Sequence, residues 1–553
     1  MRRAMLAVAL GTIACSSDHM GTGPVASRLA FTVQPSAATA GVAITPAIQV
    51  TAYDDAGAAV TSFTGTITIA LAANPNGATL QGTLTRGAVG GVATFSDLRL
   101  NRTGTGYTFV ASSGALTTAT SGNFAIVPAP PVQLAFIVQP ADVIAGATMA
   151  PAVQVQARDS LGNPTPGFAG SVTLTLAPNG TGAVLAGPTI LTAVAGVATF
   201  PGLHVDKSGA GYAIQAASGA LAATTSTSFK VSAAVAKRLT FLLQPSQPNL
   251  PVAGQPMQVQ VAAVDTFDNT ATGFGGSVSI ALGANPPGGA LSGTTTVTAV
   301  SGVAVFPDLT LSKSGTGYTL VTTATGLIPD TTAAFTVNPG SVSPASTVVA
   351  APTTITASSG ASVSTITVTA KDALGNPVPG AVVTLAATGS GNTVTQPSAP
   401  TNANGVATGS LSSTVTGAKV VAATVGGVLA SQSDTIAVTP AAAAALAFTV
   451  QPSTTSATSA ITPAVQVTAR DAFGNRATGF VGAVTIAIGA NPGGGSLGGT
   501  LVATADTGVA TFPGLSIDKA GAGYTLSASS GTLTAAASQT FTITVGSATQ
   551  LAF

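Results

Sequence analysis

The octapeptide Arg28-Leu29-Ala30-Phe31-Thr32-Val33-Gln34-Pro35 returns as Gln133-Leu134-Ala135-Phe136-Ile137-Val138-Gln139-Pro140 and as Arg238-Leu239-Thr240-Phe241-Leu242-Leu243-Gln244-Pro245. Without its first residue it returns again as Leu446-Ala447-Phe448-Thr449-Val450-Gln451-Pro452. Gln34, Gln139, Gln244 and Gln451 lie 105, 105 and 207 residues apart, so the last gap conceals one more unit. Other landmarks disclose it. Gly91-Val92-Ala93-Thr94-Phe95 matches Gly196 to Phe200, Gly302 to Phe306, Gly405 to Thr408 and Gly508 to Phe512. The turn Arg158-Asp159-Ser160-Leu161-Gly162-Asn163-Pro164 matches Lys371-Asp372-Ala373-Leu374-Gly375-Asn376-Pro377 and Arg470-Asp471-Ala472-Phe473-Gly474-Asn475. The chain thus divides into five repeats, 28–130, 131–235, 236–339, 340–440 and 441–546, the fourth being the most divergent. Gln550-Leu551-Ala552-Phe553 reopens the octapeptide, so residues 547–553 read as the first strand of an incomplete sixth repeat. The chain is expected to be a fragment of a longer product or, as a second reading, to donate this strand to a neighbour.

Each repeat reads as strands throughout. Val153, Val155 and Ala157 alternate with Gln154 and Gln156, and Val172, Leu174 and Leu176 alternate with threonines. Gly196 to Phe200 and Tyr212 to Ala216 continue the period of two. The runs are short and end at Gly, Asn, Asp or Pro. About seven strands in about 105 residues is the pattern of a β-sandwich. No apolar stripe of period 3.6 persists beyond the first residues, and Ala441 to Ala445 reads as a junction rather than a helix. The expected fold is all-β, tandem immunoglobulin-like sandwiches in a linear array.

Composition narrows the chemistry. Among 553 residues, Lys and Arg number 17 and the acids 16, every acid being Asp; His19 and His204 are the only histidines. A net charge of +1 at 6% charged residues excludes a basic nucleic-acid binder. Without Glu, and with no histidine that recurs, no repeated acid–base or His-based metal site is available. Neither cofactor nor small-molecule substrate is expected.

The N-terminus carries an address. Met1-Arg2-Arg3 precedes Ala4 to Ala14, an uncharged run too short to span a bilayer and suited to an export signal. Thr12-Ile13-Ala14-Cys15 resembles the lipobox of bacterial lipoproteins, with Thr12 standing where that family favours Leu. The resemblance implies cleavage after Ala14, lipid on Cys15, and a tether over 15–27; an ordinary cleaved signal and an incidental cysteine are the alternatives. Cys15 is the only cysteine, so the repeats hold together without an intrachain disulfide.

Asp372-Ala373-Leu374-Gly375-Asn376-Pro377-Val378-Pro379-Gly380, the following Ala381 to Leu385, and Asn402 to Thr408 resemble the bacterial immunoglobulin-like repeats of invasin- and intimin-like surface proteins. The likeness is nearest in repeat 4, and the other repeats look like cousins bearing Gly-x-Gly-Tyr. It implies rigid spacers that present an adhesive tip or anchor.

Two sets of recurring residues are candidate sites. Asp159, Asp265, Asp372 and Asp471 precede Gly or Asn and suit carboxylates that accept backbone N–H groups in an Asx-turn. Calcium is the alternative, though each turn offers one or two carboxylates where six to eight oxygens are needed. Tyr107, Tyr212, Tyr318 and Tyr524 close Gly-x-Gly-Tyr. No Lys-Ser/Thr and no helix follow, so a packing and hydroxyl corner is expected rather than a phosphate loop. His204 reads as an exposed strand residue. Asn101-Arg102-Thr103 and Asn179-Gly180-Thr181 are chance matches to the glycosylation pattern.

The expected function is a non-enzymatic, lipid-anchored stalk on the cell surface or outer membrane, or a secreted one. At about 40 Å per repeat, from strands rising about 3.3 Å per residue plus loops, five reach on the order of 200 Å. The alternatives are a module binding a surface glycan or protein through its end loops, and the accessory region of a longer enzyme.

Overall fold

A computed structural model describes residues 23–246 and 250–547. Among the described residues every regular element is a strand, and the strands form repeated two-sheet sandwiches in tandem. The chain falls into two units, Met1–Arg238 with Ala263–Phe274, and Leu239–Ala262 with Gly275–Phe553. The first holds repeats 1 and 2 and, from repeat 3, residues 236–238 and the Asp265 turn; the second holds the rest of repeat 3 and repeats 4 and 5.

In repeat 1, Arg28–Val33, Ile48–Tyr53 and Val92–Phe95 form one sheet in that order. The facing sheet runs Ala38–Thr39, Phe124–Val127, Gly104–Ser112, Thr66–Ala73, Thr85–Gly87. Period two sets the layers: Ile67 and Ile69 are buried while Thr66 and Thr68 are exposed, so β-branched side chains fill the core and hydroxyls meet water. The second unit repeats the scheme. Val259 pairs with Phe306 and Val261 with Ala304 in repeat 3, and Ile366 pairs with Gly409 in repeat 4.

The recurring Gln-Pro marks the point where the first strand changes sheets. Pro35 has no N–H to give a ladder, so the strand ends at Val33. The chain crosses over and Ala38–Thr39 pairs in parallel with Phe124–Val127 of the facing sheet. Gln34 bridges the break, accepting the Gly122 N–H at 2.8 Å and donating to Phe31 O at 3.3 Å. Gln139, Gln244 and Gln451 accept from Thr227, Ala333 and Gln539 in the same way. Repeat 4 lacks the glutamine, and there Asp434 Oδ2 accepts the Ala350 N–H at 2.8 Å.

Phe95, Phe200 and Phe512, which end their Gly-Val-Ala-x-Phe strands, and Phe306, inside Val303–Leu311, are fully buried. Burying each such side chain contributes about 1.5–3 kcal/mol. The glycine that opens the strand is a close approach: a Cβ on Gly196 would lie 2.4 Å from Thr165 O, and one on Gly91 2.4 Å from Val60 O.

Candidate functional site

The recurring aspartates are buried, with exposures of 0, 0, 1 and 3% for Asp159, Asp265, Asp372 and Asp471. A buried carboxylate needs donors to replace water, and each of these has four. Oδ1 of Asp372 accepts from Leu374 N at 2.9 Å and Asn376 N at 2.8 Å. Its Oδ2 accepts Asn376 Nδ2 at 2.8 Å and, from the linker that enters the repeat, Gly340 N at 2.9 Å. Asp159, Asp265 and Asp471 repeat the pattern with linker donors Ala129, Ala234 and Ala441. Burial pushes the carboxyls of Asp265, Asp372 and Asp471 up, but the Asn side chain and the backbone N–H groups outweigh it and hold them below the ordinary value. The lone pairs that a cation would need are taken by N–H groups. Among the described residues no three His, Cys or Asp groups gather as metal ligands.

The four tyrosines are equally buried. Each hydroxyl donates to the carbonyl five residues back: Tyr107 to Arg102 at 3.1 Å, Tyr212 to Lys207 at 3.0 Å, Tyr318 to Lys313 at 2.8 Å and Tyr524 to Lys519 at 2.9 Å. Each ring also packs on a phenylalanine of the last strand, Tyr212 on Phe229 with centroids 5.9 Å apart. Burial raises the hydroxyl pKa of Tyr107 and Tyr318.

Aspartates and tyrosines meet through residues that the sequence did not single out, Asn163, Asn269, Asn376 and Asn475. Asn269 Nδ2 donates both to Asp265 Oδ2 at 2.9 Å and, in the preceding repeat, to Asp206 O at 2.8 Å; its Oδ1 accepts Ser208 N at 2.8 Å. Asn163 grips Asn101 O and the Thr103 N–H, Asn376 grips Ser312 O and the Ser314 N–H, and Asn475 grips Thr414 O and the Thr416 N–H. The amide orientation is fixed by its partners, since carboxylate and carbonyl need the NH2 end and the N–H needs the oxygen. Tyrosine and asparagine therefore hold one segment from opposite sides. Tyr212 holds Lys207 O from within repeat 2, and Asn269 holds residues 206 and 208 from the next turn. In repeat 4, which has no such tyrosine, Ser413 Oγ donates to Val415 O at 3.1 Å. The available signal for the asparagines was their recurrence at the fourth position after Asp in repeats 2 to 5, where repeat 1 has Ala58.

His204 lies half-buried in the strand His204–Val205, its Nδ1 3.1 Å from Gly202 O. Asn101 Oδ1 accepts the Thr79 N–H at 2.7 Å, and Asn179 Oδ1 the Thr181 N–H at 3.0 Å. Where the linkers enter repeats 2, 4 and 5, shallow grooves of about 390, 590 and 490 Å³ are lined by Pro, Ala, Gly and Val or Phe. Cys15 and residues 548–553 lie outside the described residues. No helix among the described residues is long and apolar enough to cross a membrane.

No curated protein sequence matches the chain. Among solved structures, the Escherichia coli adhesin FdeC is similar over 57% of this chain and 100% of its own, at 20% identity and a TM-score of 0.32. Invasin, a bacterial integrin-binding protein, is similar over 74% and 79%, at 14% identity and 0.31. InvD of Yersinia pseudotuberculosis is similar over 56% and 98%, at 18% and 0.31. At such scores the fold rests on the sheet topology above. One stretch has a family assignment of its own: residues 345–439, within repeat 4 and around the Asp372 turn, match the bacterial Ig-like domain, group 1.

Proposed function

We propose that the chain is a non-enzymatic surface stalk whose sandwiches serve as spacers, exported by its N-terminal signal and anchored by lipid on Cys15. The observation that carries this reading is the four-fold recurrence of one set of contacts between a turn and the preceding repeat. Recurrent contacts of this kind restrain successive sandwiches, and default domain motion in a chain of short linkers would otherwise be large. The recurring polar residues are spent on these contacts, which leaves none of them as a nucleophile with a base beside it.

Labelled palmitate fed to cells making the whole chain, followed by protease treatment of intact cells, tests the proposal. Incorporation that Cys15→Ser abolishes, together with cleavage of surface-exposed protein, is the expected result. Protein shielded inside the cell overturns the surface reading, and exposed but unlabelled protein overturns the lipid anchor alone. A second reading, attachment of a glycan or protein at sandwich ends, draws on the grooves that recur where the linkers enter repeats 2, 4 and 5.

A further inference from the structure

We infer that the Asp-x-Leu/Phe-x-Asn turn is a plug, and the end of the preceding repeat its socket, so that the asparagine in repeats 2 to 5 and the apolar residue in repeats 2 to 4 serve the joint rather than their own sandwich. The inference rests on the stalk reading only for its purpose; the device itself is a matter of contacts within the array.

Repeat 1 separates the two roles. Its equivalent turn is Asp54-Asp55-Ala56-Gly57-Ala58, with Ala56 for Leu161, Phe267, Leu374 or Phe473, and Ala58 for the asparagine. The turn nevertheless closes. Asp54 Oδ1 accepts the Ala58 N–H at 2.8 Å, and Asp54 N donates to Ala58 O at 3.0 Å, as Asp159 N does to Asn163 O at 3.0 Å. Neither an amide nor a large apolar side chain is needed to form this turn. What repeat 1 lacks, among the described residues, is a sandwich in front of it.

The socket shows the complementary pattern. Its floor is the residue whose N–H donates to Leu100 O in repeat 1, to Val205 O in repeat 2, to Leu311 O in repeat 3 and to Ile517 O in repeat 5. That residue is Gly41, Gly146, Gly254 and Thr458 respectively, and all four have positive φ, from 69° to 79°. A Cβ on Gly41 would lie 2.9 Å from Leu161 Cδ1, one on Gly254 2.9 Å from Leu374 Cδ1, and one on Gly146 2.4 Å from the Phe267 ring. Phe267 packs against the core of repeat 2. Thr458 shows that the backbone tolerates a β-branched residue at this φ, where such residues are outliers. The glycines thus meet a second demand besides φ: they leave room for the plug. Thr458 stands where no plug is seated among the described residues, and Ser358 holds the place in repeat 4, with no positive φ. The repeats can therefore be ranked. The first three sockets hold the plug side chain against their glycine, with Leu161 and Leu374 keeping 49% and 46% of their surface in water, and in the fourth the residue in the glycine's place is Ser358.

The test is a pulsed electron–electron distance measurement on the whole chain carrying Cys15→Ser, with spin labels at Thr85→Cys and Thr192→Cys, two exposed positions on equivalent strands of repeats 1 and 2. The parent should give a narrow distribution. Leu161→Ala with Asn163→Ala should broaden it by about twofold or more, since domain motion is the default once the joint contacts are gone. Gly41→Thr, which copies the repeat 5 socket into repeat 1 and leaves the repeat 2 turn untouched, should broaden it too. A parent distribution already broad, or one that stays narrow in both variants, overturns the plug and socket. Absence of the protein from the cell surface would instead overturn the stalk reading and leave a narrow, plug-dependent distribution standing.

Discussion

Two turns of the same backbone shape, at Asp54 and at Asp159, have different surroundings. The residues from Asp55 to Ala59 are exposed, whereas Asp159 and Asn163 are buried. Local sequence builds the turn in both, because an Asp oxygen accepting the N–H four residues on, joined at Asp159 by the N–H two residues on, is a self-contained motif. Burial comes from the neighbouring repeat and the linker. The comparison teaches that one recurring aspartate has two jobs, closing a turn everywhere and anchoring a joint in four places out of five.

Acid should expose the difference most, because it titrates several joints together. The carboxyls of Asp265, Asp372 and Asp471 are held below the ordinary aspartate value. A group with a lowered folded pKa contributes stability that is full above its unfolded value, about 3.9, and lost as pH falls through the folded one. The linker N–H groups of Ala234, Gly340 and Ala441, which these carboxylates accept, should keep their protection from hydrogen exchange at about pH 5 and lose it only once the pH has fallen below the ordinary aspartate value. Protection that persists unchanged into stronger acid would mean that the carboxylates are not what holds the linkers.

The single substitution with the largest expected effect is Asp159→Ala. It removes one of the Asn163 amide's partners and strands the N–H groups of Ala129, Leu161 and Asn163, at about 1–3 kcal/mol for the buried unsatisfied groups together and more if several remain dry. Asp54→Ala removes one exposed bond and should cost about 1 kcal/mol or less. Denaturant titration of the whole chain should show repeat 2 unfolding earlier in the first variant, with the second close to the parent. Equal losses would erase the distinction between the two turns.

Asn269→Ala follows, at about 1–2 kcal/mol, because Asp206 O and the Ser208 N–H lose their partner across the joint. Tyr212 holds the residue between them. Tyr212→Phe and Asn269→Ala should therefore couple in a double-mutant cycle by about 0.5–1 kcal/mol, as groups sharing one segment do. In repeat 5 the same tyrosine bond, from Tyr524 to Lys519 O, has no asparagine opposite it among the described residues, so Tyr524→Phe offers the uncoupled reference.

What the sequence disclosed follows from the range of the interactions involved. Val153, Val155 and Ala157 announce a buried face because period two is local, and five returns of one pattern made the tandem sandwich readable without any long-range contact. The aspartates and tyrosines were visible as recurring positions. Their meeting point was not, since it joins residues about 60 apart that belong to different sandwiches, as with Asn163 and Asn101. An asparagine after Gly in a turn already has a sufficient local explanation, which concealed its other bonds. Gln34 is a similar case: the repeat marked it, but its partner Gly122 lies 88 residues away on the loop before the last strand.

The smallest expected effect is the sharpest for the comparison. Ala58→Asn with Ala56→Leu rebuilds in repeat 1 the side chains that the other turns carry. Within the turn, the new amide can reach the Asp54 carboxylate, as Asn163 Nδ2 reaches Asp159, but an exposed bond of this kind adds little over water. With no repeat in front to grip among the described residues, the change should stay within about 0.5 kcal/mol of the parent in denaturant titration. Stabilisation by about 1 kcal/mol or more would show that asparagine and leucine improve the turn on its own. The asparagine and the apolar residue of repeats 2 to 5 would then be explained by the sandwich that bears them, and the bonds to the preceding repeat would be incidental to it.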